Sequence, residues 1–138
     1  MNHNEIEKLT EEYGGQWAIQ HSRRLLHWVS ILGWNIQYDP EVLFLSAYLH
    51  DWGGYTKWLI PGVEHYLRSK EVAAQFLNEH QFPPEQTARV LECIEYHHGG
   101  PANRSLESIL FTDADALDLL GVVGILRVFA MNPRNLRQ

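Results

Sequence analysis

Cys93 is the chain's only cysteine in 138 residues, so no disulfide can close within it and no thiolate cluster can hold a metal. No stretch approaches the ~20 consecutive apolar residues that a membrane span requires. The opening "MNHNEIEKLTEEY" has no apolar segment of the signal-peptide kind. Basic residues are few, 11 against 17 acidic for a formal net charge of −6, and they gather only weakly, as Arg127, Arg134 and Arg137. That balance argues against non-specific binding to a nucleic-acid polymer, which depends on Lys and Arg neutralising phosphates. Repeats, low-complexity tracts and strand-like alternation are also missing. These absences lead to the expectation of one cytoplasmic domain over residues 1–138, with neither membrane nor nucleic-acid polymer as partner.

What is present is enough apolar material for a core, 45% of the residues, in a chain too short for two comfortable domains. The recurring pattern is helical. Trp17, His21, Leu25, Trp28 and Leu32 fall at steps of four or three and predict one core-facing stripe. In "YDPEVLFLSAYLHDWGG", Asp39 is a candidate N-cap, Pro40 takes the first helical position, and Gly53-Gly54 stops the element. Its apolar residues lie on nearly every side, as in a central, surrounded helix. A third helix is predicted from near Glu64 to about Asn78. A fourth starts at Pro83-Pro84 and carries on into His97 and His98, and a fifth runs from a Ser105 cap to near Gly121. The expected fold is all-α, an irregular bundle of about five or six helices. Cys93, within "VLECIEY", reads as a small buried hydrophobe.

Several polar residues sit badly in this pattern. His21 lies inside an apolar stripe. His50 and Asp51 end the run "EVLFLSAYL", where a carboxylate is unfavourable against the helix C-terminal dipole. Asp113 and Asp115 interrupt "ILFTDADALD", and at least one must face inward, since each shares a stripe with leucine or phenylalanine. Two imidazoles and two carboxylates from three helices form a mixed N/O set suited to a divalent ion such as Mn, Fe, Ni, Co, Zn or Mg. A nearby cation would reverse the unfavourable sign at Asp51.

The ordered set His21, His50-Asp51 and a late Asp in "TDADALD" resembles the HD-domain superfamily of metal-dependent phosphohydrolases, with its pattern H…HD…D. The likeness extends from about His21 to Met131. It includes "HSRRLL" against H-x-x-R, "LHDWG" against L-H-D-x-G, and "DADALDLLGVVGILRVFA" against the D-A-D-[RK]-L-D stretch of small bacterial members. The resemblance implies His21, His50, Asp51 and Asp115 as metal ligands, with Asp113 in a supporting place. It also implies that Asp51 orients or deprotonates the attacking water and that Arg24 contacts phosphate. Ala116 departs from the Arg or Lys that the family often places there for a phosphate.

"VEHYLRS" and "EYHHGG" occupy the positions where some relatives have a second metal, so His65, His97 and His98 are candidates for a second ion or for binding substrate phosphate. Trp52, Tyr55, Lys57 and Trp58 are expected either to border the pocket or to pack. His3, His27 and His80 read as ordinary surface or packing residues. The implied activity is hydrolysis of a phosphate ester or anhydride, of a nucleotide, by metal-activated water. Two rivals are a dinuclear-iron oxygenase of the same superfamily and a metal-bound regulatory module without turnover. The implied partner is a small phosphorylated substrate. Relatives often continue with further helices past "NPRNLRQ", so a homo-oligomer in which another subunit supplies part of the pocket wall is a further expectation.

Overall fold

The computed structural model describes the backbone of residues 1–131 and side chains up to Gly121. The segment "NPRNLRQ", with Arg134 and Arg137, and the side chain of Arg127 lie outside the described residues. Five α-helices and one short 3-10 turn make up the regular structure: α1 (His3–Leu32), α2 (Pro40–Leu49), the turn Trp52–Gly54, α3 (His65–Glu79), α4 (Pro84–Glu95) and α5 (Leu106–Met131). There is no strand among the described residues.

Asn2 and Glu5 cap α1 reciprocally: the Asn2 side chain accepts from the Glu5 amide at 3.0 Å, and the Glu5 carboxylate accepts from the Asn2 amide at 2.8 Å. The helix bends at Gly15, whose φ of 72° and ψ of −165° suit only glycine. Before the bend, Ile6 and Thr10 are buried, and the Thr10 hydroxyl accepts the indole N–H of Trp52 at 3.0 Å. After it, Ala18, His21, Ser22, Leu25 and Val29 turn inward. The predicted stripe therefore needs correction at Trp17, which is 57% exposed two residues past the bend, while Leu25 is buried and Trp28 and Leu32 are half-buried.

Asp39 caps α2, accepting from the amides of Glu41 and Val42 at 3.0 and 3.4 Å. All eight residues Val42–Leu49 are buried, because α1, α4 and α5 pack around this helix. The helix ends at Leu49, one turn earlier than the sequence pattern predicts, and His50 serves as its cap. Similarly, α4 stops at Glu95, so His97 and His98 occupy the following turn, closed by the Gly99 amide donating to the Tyr96 carbonyl at 2.9 Å. In contrast, α5 runs past the predicted stop at Gly121 to Met131. A helix-interior glycine costs only about 1 kcal/mol relative to alanine, too little by itself to stop the helix at Gly121. Cys93 is buried, and burial pushes its thiol up to about 12, so it behaves as an inert hydrophobe.

Candidate metal centre

The ends of α2 and α4 position their histidines by one device. A helix leaves its last carbonyls without intrahelical donors. At the end of α2 the free Ala47 carbonyl accepts from His50 Nδ1 at 2.9 Å, and also from the Ser22 hydroxyl of α1 at 2.9 Å. At the end of α4 the Ile94 carbonyl accepts from His97 Nδ1 at 2.6 Å. Both imidazoles thereby carry a proton on Nδ1 and, when neutral, offer a lone pair at Nε2.

His21 reaches the same state by a different partner. Its Nδ1 donates to Asp118 Oδ2 at 2.7 Å, which leaves Nε2 as an acceptor. The two acceptor nitrogens, His21 Nε2 and His50 Nε2, then face each other at 3.2 Å in a buried site. Asp51 Oδ2 lies 3.2 Å from His50 Nε2 and 3.7 Å from His21 Nε2, and Asp115 Oδ1 lies 3.5 Å from His21 Nε2. Four lone-pair donors converging this closely repel unless a positive charge stands among them. The spacing fits a metal ion: ligand atoms about 2.1 Å from one centre lie about 3.0 Å apart at right angles and about 3.4 Å apart at the tetrahedral angle. His21, His50 and Asp51 thus form one group able to hold an ion, and His97, His98 and Asp115 form an adjoining second. His98 Nδ1 stands 3.8 Å from Asp115 Oδ2, so Asp115 faces both.

Of the two aspartates left open by helical period, Asp115 turns into the site and Asp113 is exposed. His65 does not join either group, but lines the neighbouring cavity with Asp51, His97 and His98. The guanidinium of Arg24 is held by Asp118, with Nε and Nη2 bonds of 2.7 and 3.1 Å, and is about half exposed. Among the loop residues, Trp52, Lys57 and Trp58 line a separate aromatic cavity with Tyr13 and Phe76, so they pack rather than border the metal centre. His3 stacks on Phe44, His27 is exposed, and His80 bonds the Phe76 carbonyl; none lines this site.

Two residues of the site escaped the sequence reading. Asp118 is the last acid of "TDADALD", and its i,i+3 spacing from Asp115 puts both on one helical face, which was the available signal. Trp17 stacks on His21, ring centroids 5.0 Å apart and 19° between planes, and lines the mouth of the site. Nothing in the sequence distinguishes it from a core tryptophan.

Charge follows geometry. Burial works against ionisation of His50, but the Asp51 carboxylate beside it overrides this and raises its pKa to about 9. Burial likewise opposes ionisation of Asp51, and His50 and His21 outweigh it to hold that carboxyl well below its ordinary range. Burial raises Asp115. His97 is pushed down to about 4, first by burial and then by the charge on His50, so it is neutral with its lone pair free. Asp118 is lowered despite burial, through its bonds from Arg24 and His21. In the metal-free protein a proton on His50 therefore sits among donors that otherwise suit a cation.

An all-helical fold presenting paired histidines and aspartates from α1, the end of α2 and α5 defines a mixed N/O metal-binding class. The sequence model of the HD domain family matches residues 18–120, and the chain belongs to that family. Ribonuclease Y of Acidothermus cellulolyticus is 28% identical over 103 residues, covering 75% of this chain and 19% of that protein. Ribonuclease Y of Clostridium botulinum strain Hall matches at the same identity, over 75% of this chain and 18% of the relative. The chain thus spans about a fifth of the length of these curated relatives. Among solved structures, a predicted HD superfamily hydrolase from an uncultured Thermotogales bacterium superposes with a TM-score of 0.74 and 27% identity, over 93% of this chain and 74% of that one. No helix among the described residues is long and apolar enough to cross a membrane.

Proposed function

We propose that the chain is a metal-dependent phosphohydrolase acting on a phosphate ester or anhydride of a nucleotide. Family membership and the HD hydrolase neighbour support a metal-dependent hydrolase in general. The observation that carries the reading is the convergence of the His21 and His50 Nε2 lone pairs at 3.2 Å with the carboxylates of Asp51 and Asp115. His21, His50, Asp51 and Asp115 would hold the ion, and His97 and His98 with Asp115 offer places for a second. A divalent metal there supplies Lewis acidity that polarises a phosphoryl oxygen and lowers the pKa of water toward neutrality.

The protein's own groups do the rest. Asp51, with its side chain about one-third exposed toward the cavity, can accept a proton from the attacking water through its outward oxygen. Asp118 holds His21 in the tautomer that ligates, and Arg24 neutralises Asp118. Arg24 keeps an exposed edge from which a phosphate contact remains open to it.

The test is purified protein loaded in turn with Mn, Fe, Ni, Co and Zn and screened against nucleotides and generic phosphoesters. Turnover that requires metal, stops on chelation, and is lost in Asp51→Ala and Asp115→Asn supports the reading. Failure to retain any metal after reconstitution, or dioxygen-dependent oxidation in place of phosphate release, overturns it.

A further inference from the structure

Away from the metal centre, a cavity of about 360 Å3 opens between the first half of α1, the segment 52–58 and α3. None of its lining residues belongs to either group able to hold a metal ion. Its size lies in the lower part of the ~300–1,000 Å3 range of small-molecule sites. Its walls are mostly aromatic rings. Tyr13 stands at 87° to Trp52 and at 89° to Trp58, with centroids 4.9 and 5.8 Å apart, and Trp52 meets Phe76 at 72°. Rings joined edge to face form the corners of a box rather than a stack that closes on itself. Leu9 and Val72 extend the apolar wall, which suits a flat ring.

The polar groups at this cavity are few, and two of them lack a counterpart. The Lys57 ammonium sits 4.6 Å from the Tyr13 ring centroid and 5.2 Å from that of Trp58, and makes no ion pair among the described residues. The Trp58 indole Nε1 is buried without a hydrogen-bond partner, although buried donors are almost always paired. The other polar groups are engaged: Glu79 accepts from the Gln75 amide at 2.9 Å, and His80 Nδ1 is bonded to the Phe76 carbonyl. The cationic place over the rings is therefore already filled by Lys57, and a second cation would meet like charge there. What the cavity lacks is an anion that is also a hydrogen-bond acceptor.

We infer that this cavity is a binding site for a small planar aromatic carboxylate, with its ring among Tyr13, Trp52, Trp58 and Phe76 and its acid group taken by the Lys57 ammonium and the Trp58 indole N–H. The carboxylate supplies the missing charge to one and the missing acceptor to the other. The site is independent of the reaction at the metal centre. Trp52, in the cavity wall, directly follows Asp51, so the ligand sits against the segment that carries Asp51 while leaving both metal-binding groups open.

The experiment measures calorimetric binding to the full, metal-loaded chain of three probes that share one ring and differ in charge: indole-3-acetate, uncharged indole and cationic tryptamine. Indole-3-acetate is expected to bind about 5-fold more tightly than indole, the yield of a solvent-exposed ion pair, and tryptamine more weakly than either. Lys57→Gln should erase the preference for the anion and Lys57→Arg should keep it. Because Lys57 is exposed, neither change should alter Tm or metal content. Trp58→Phe keeps a ring in the wall and removes the N–H, and should weaken indole-3-acetate by about 10-fold. Binding is repeated after chelation, where the affinity for indole-3-acetate should be unchanged. Absence of binding overturns the inference, as does tryptamine binding as tightly as the anion, or a Lys57→Gln or Trp58→Phe chain that binds indole-3-acetate like the wild type. Binding that disappears with the metal also overturns it, since the carboxylate would then be ligating the ion.

Discussion

Asp118 is the residue on which the state of His21 depends, and its replacement can be worked through atom by atom. Its Oδ2 accepts from His21 Nδ1 at 2.7 Å and from Arg24 Nη2 at 3.1 Å, and its Oδ1 accepts from Arg24 Nε at 2.7 Å. An asparagine keeps one of these acceptors. With its carbonyl in the Oδ2 place, His21 retains its tautomer, and the amide meets Arg24 Nε donor to donor. The Arg24 side chain, 43% exposed, can swing into water. With the amide reversed, His21 Nδ1 must become an acceptor, its proton moves to Nε2, and the lone pair required for a metal is lost. The first arrangement costs less because the group that moves is solvated. Asp118→Asn should therefore weaken metal binding by about 10-fold, or about 1.4 kcal/mol, the low end of effects seen for partners that orient a ligand. Asp118→Ala leaves His21 without any acceptor and should approach 100-fold. Competition against a chromophoric chelator measures both, thermal unfolding in excess chelator checks folding, and exposed Asp113→Asn serves as the control with unchanged affinity. An Asp118→Ala chain that binds metal like the wild type, or an Asn variant weaker than the Ala variant, would refute the reasoning.

Three other outcomes follow from the structure. Because the pKa of His50 is raised to about 9 in the folded, metal-free protein, its protonation contributes stability that is complete below the unfolded value of about 6.5 and is lost as pH rises through about 9. Metal uptake at pH 7.5 should release about one proton, measurable by calorimetry in buffers of different ionisation enthalpy, and zero release would contradict the assigned proton. Gly53→Ala should lower Tm by roughly 5–10 °C, since overpacking typically costs about 1–3 kcal/mol. A Cβ there would stand 2.2 Å from the Ser69 amide nitrogen and 2.5 Å from the Arg68 carbonyl carbon, so the backbone must move, and an unchanged Tm would show that this approach is not needed.

Local physics was readable along the chain wherever one residue's neighbours decide its state. Asp39-Pro40 at the start of α2, the unbroken apolar run Val42–Leu49, and the start of α4 at Pro84 are consequences of capping, fixed φ and burial on all sides. The misfit of His50, Asp51 and an inward aspartate was legible for the same reason, since burial of a charge is costly whatever the fold. Helical period could not choose between Asp113 and Asp115, because both share a stripe with apolar residues. Only the packing of α5 against α1 turned Asp115 toward His21 and left Asp113 exposed. The stops of α2 and α4 were a turn shorter than their patterns, because carbonyls freed at those ends capture His50 and His97. Asp118 and His21 are separated by 97 positions, and no local rule connects them. Trp17 has the sequence setting of a core residue, yet the bend at Gly15 delivers it to the mouth of the site. Residue chemistry alone therefore indicated which groups could hold a cation, whereas their mutual distances and tautomers arose only when separate helix ends were brought together.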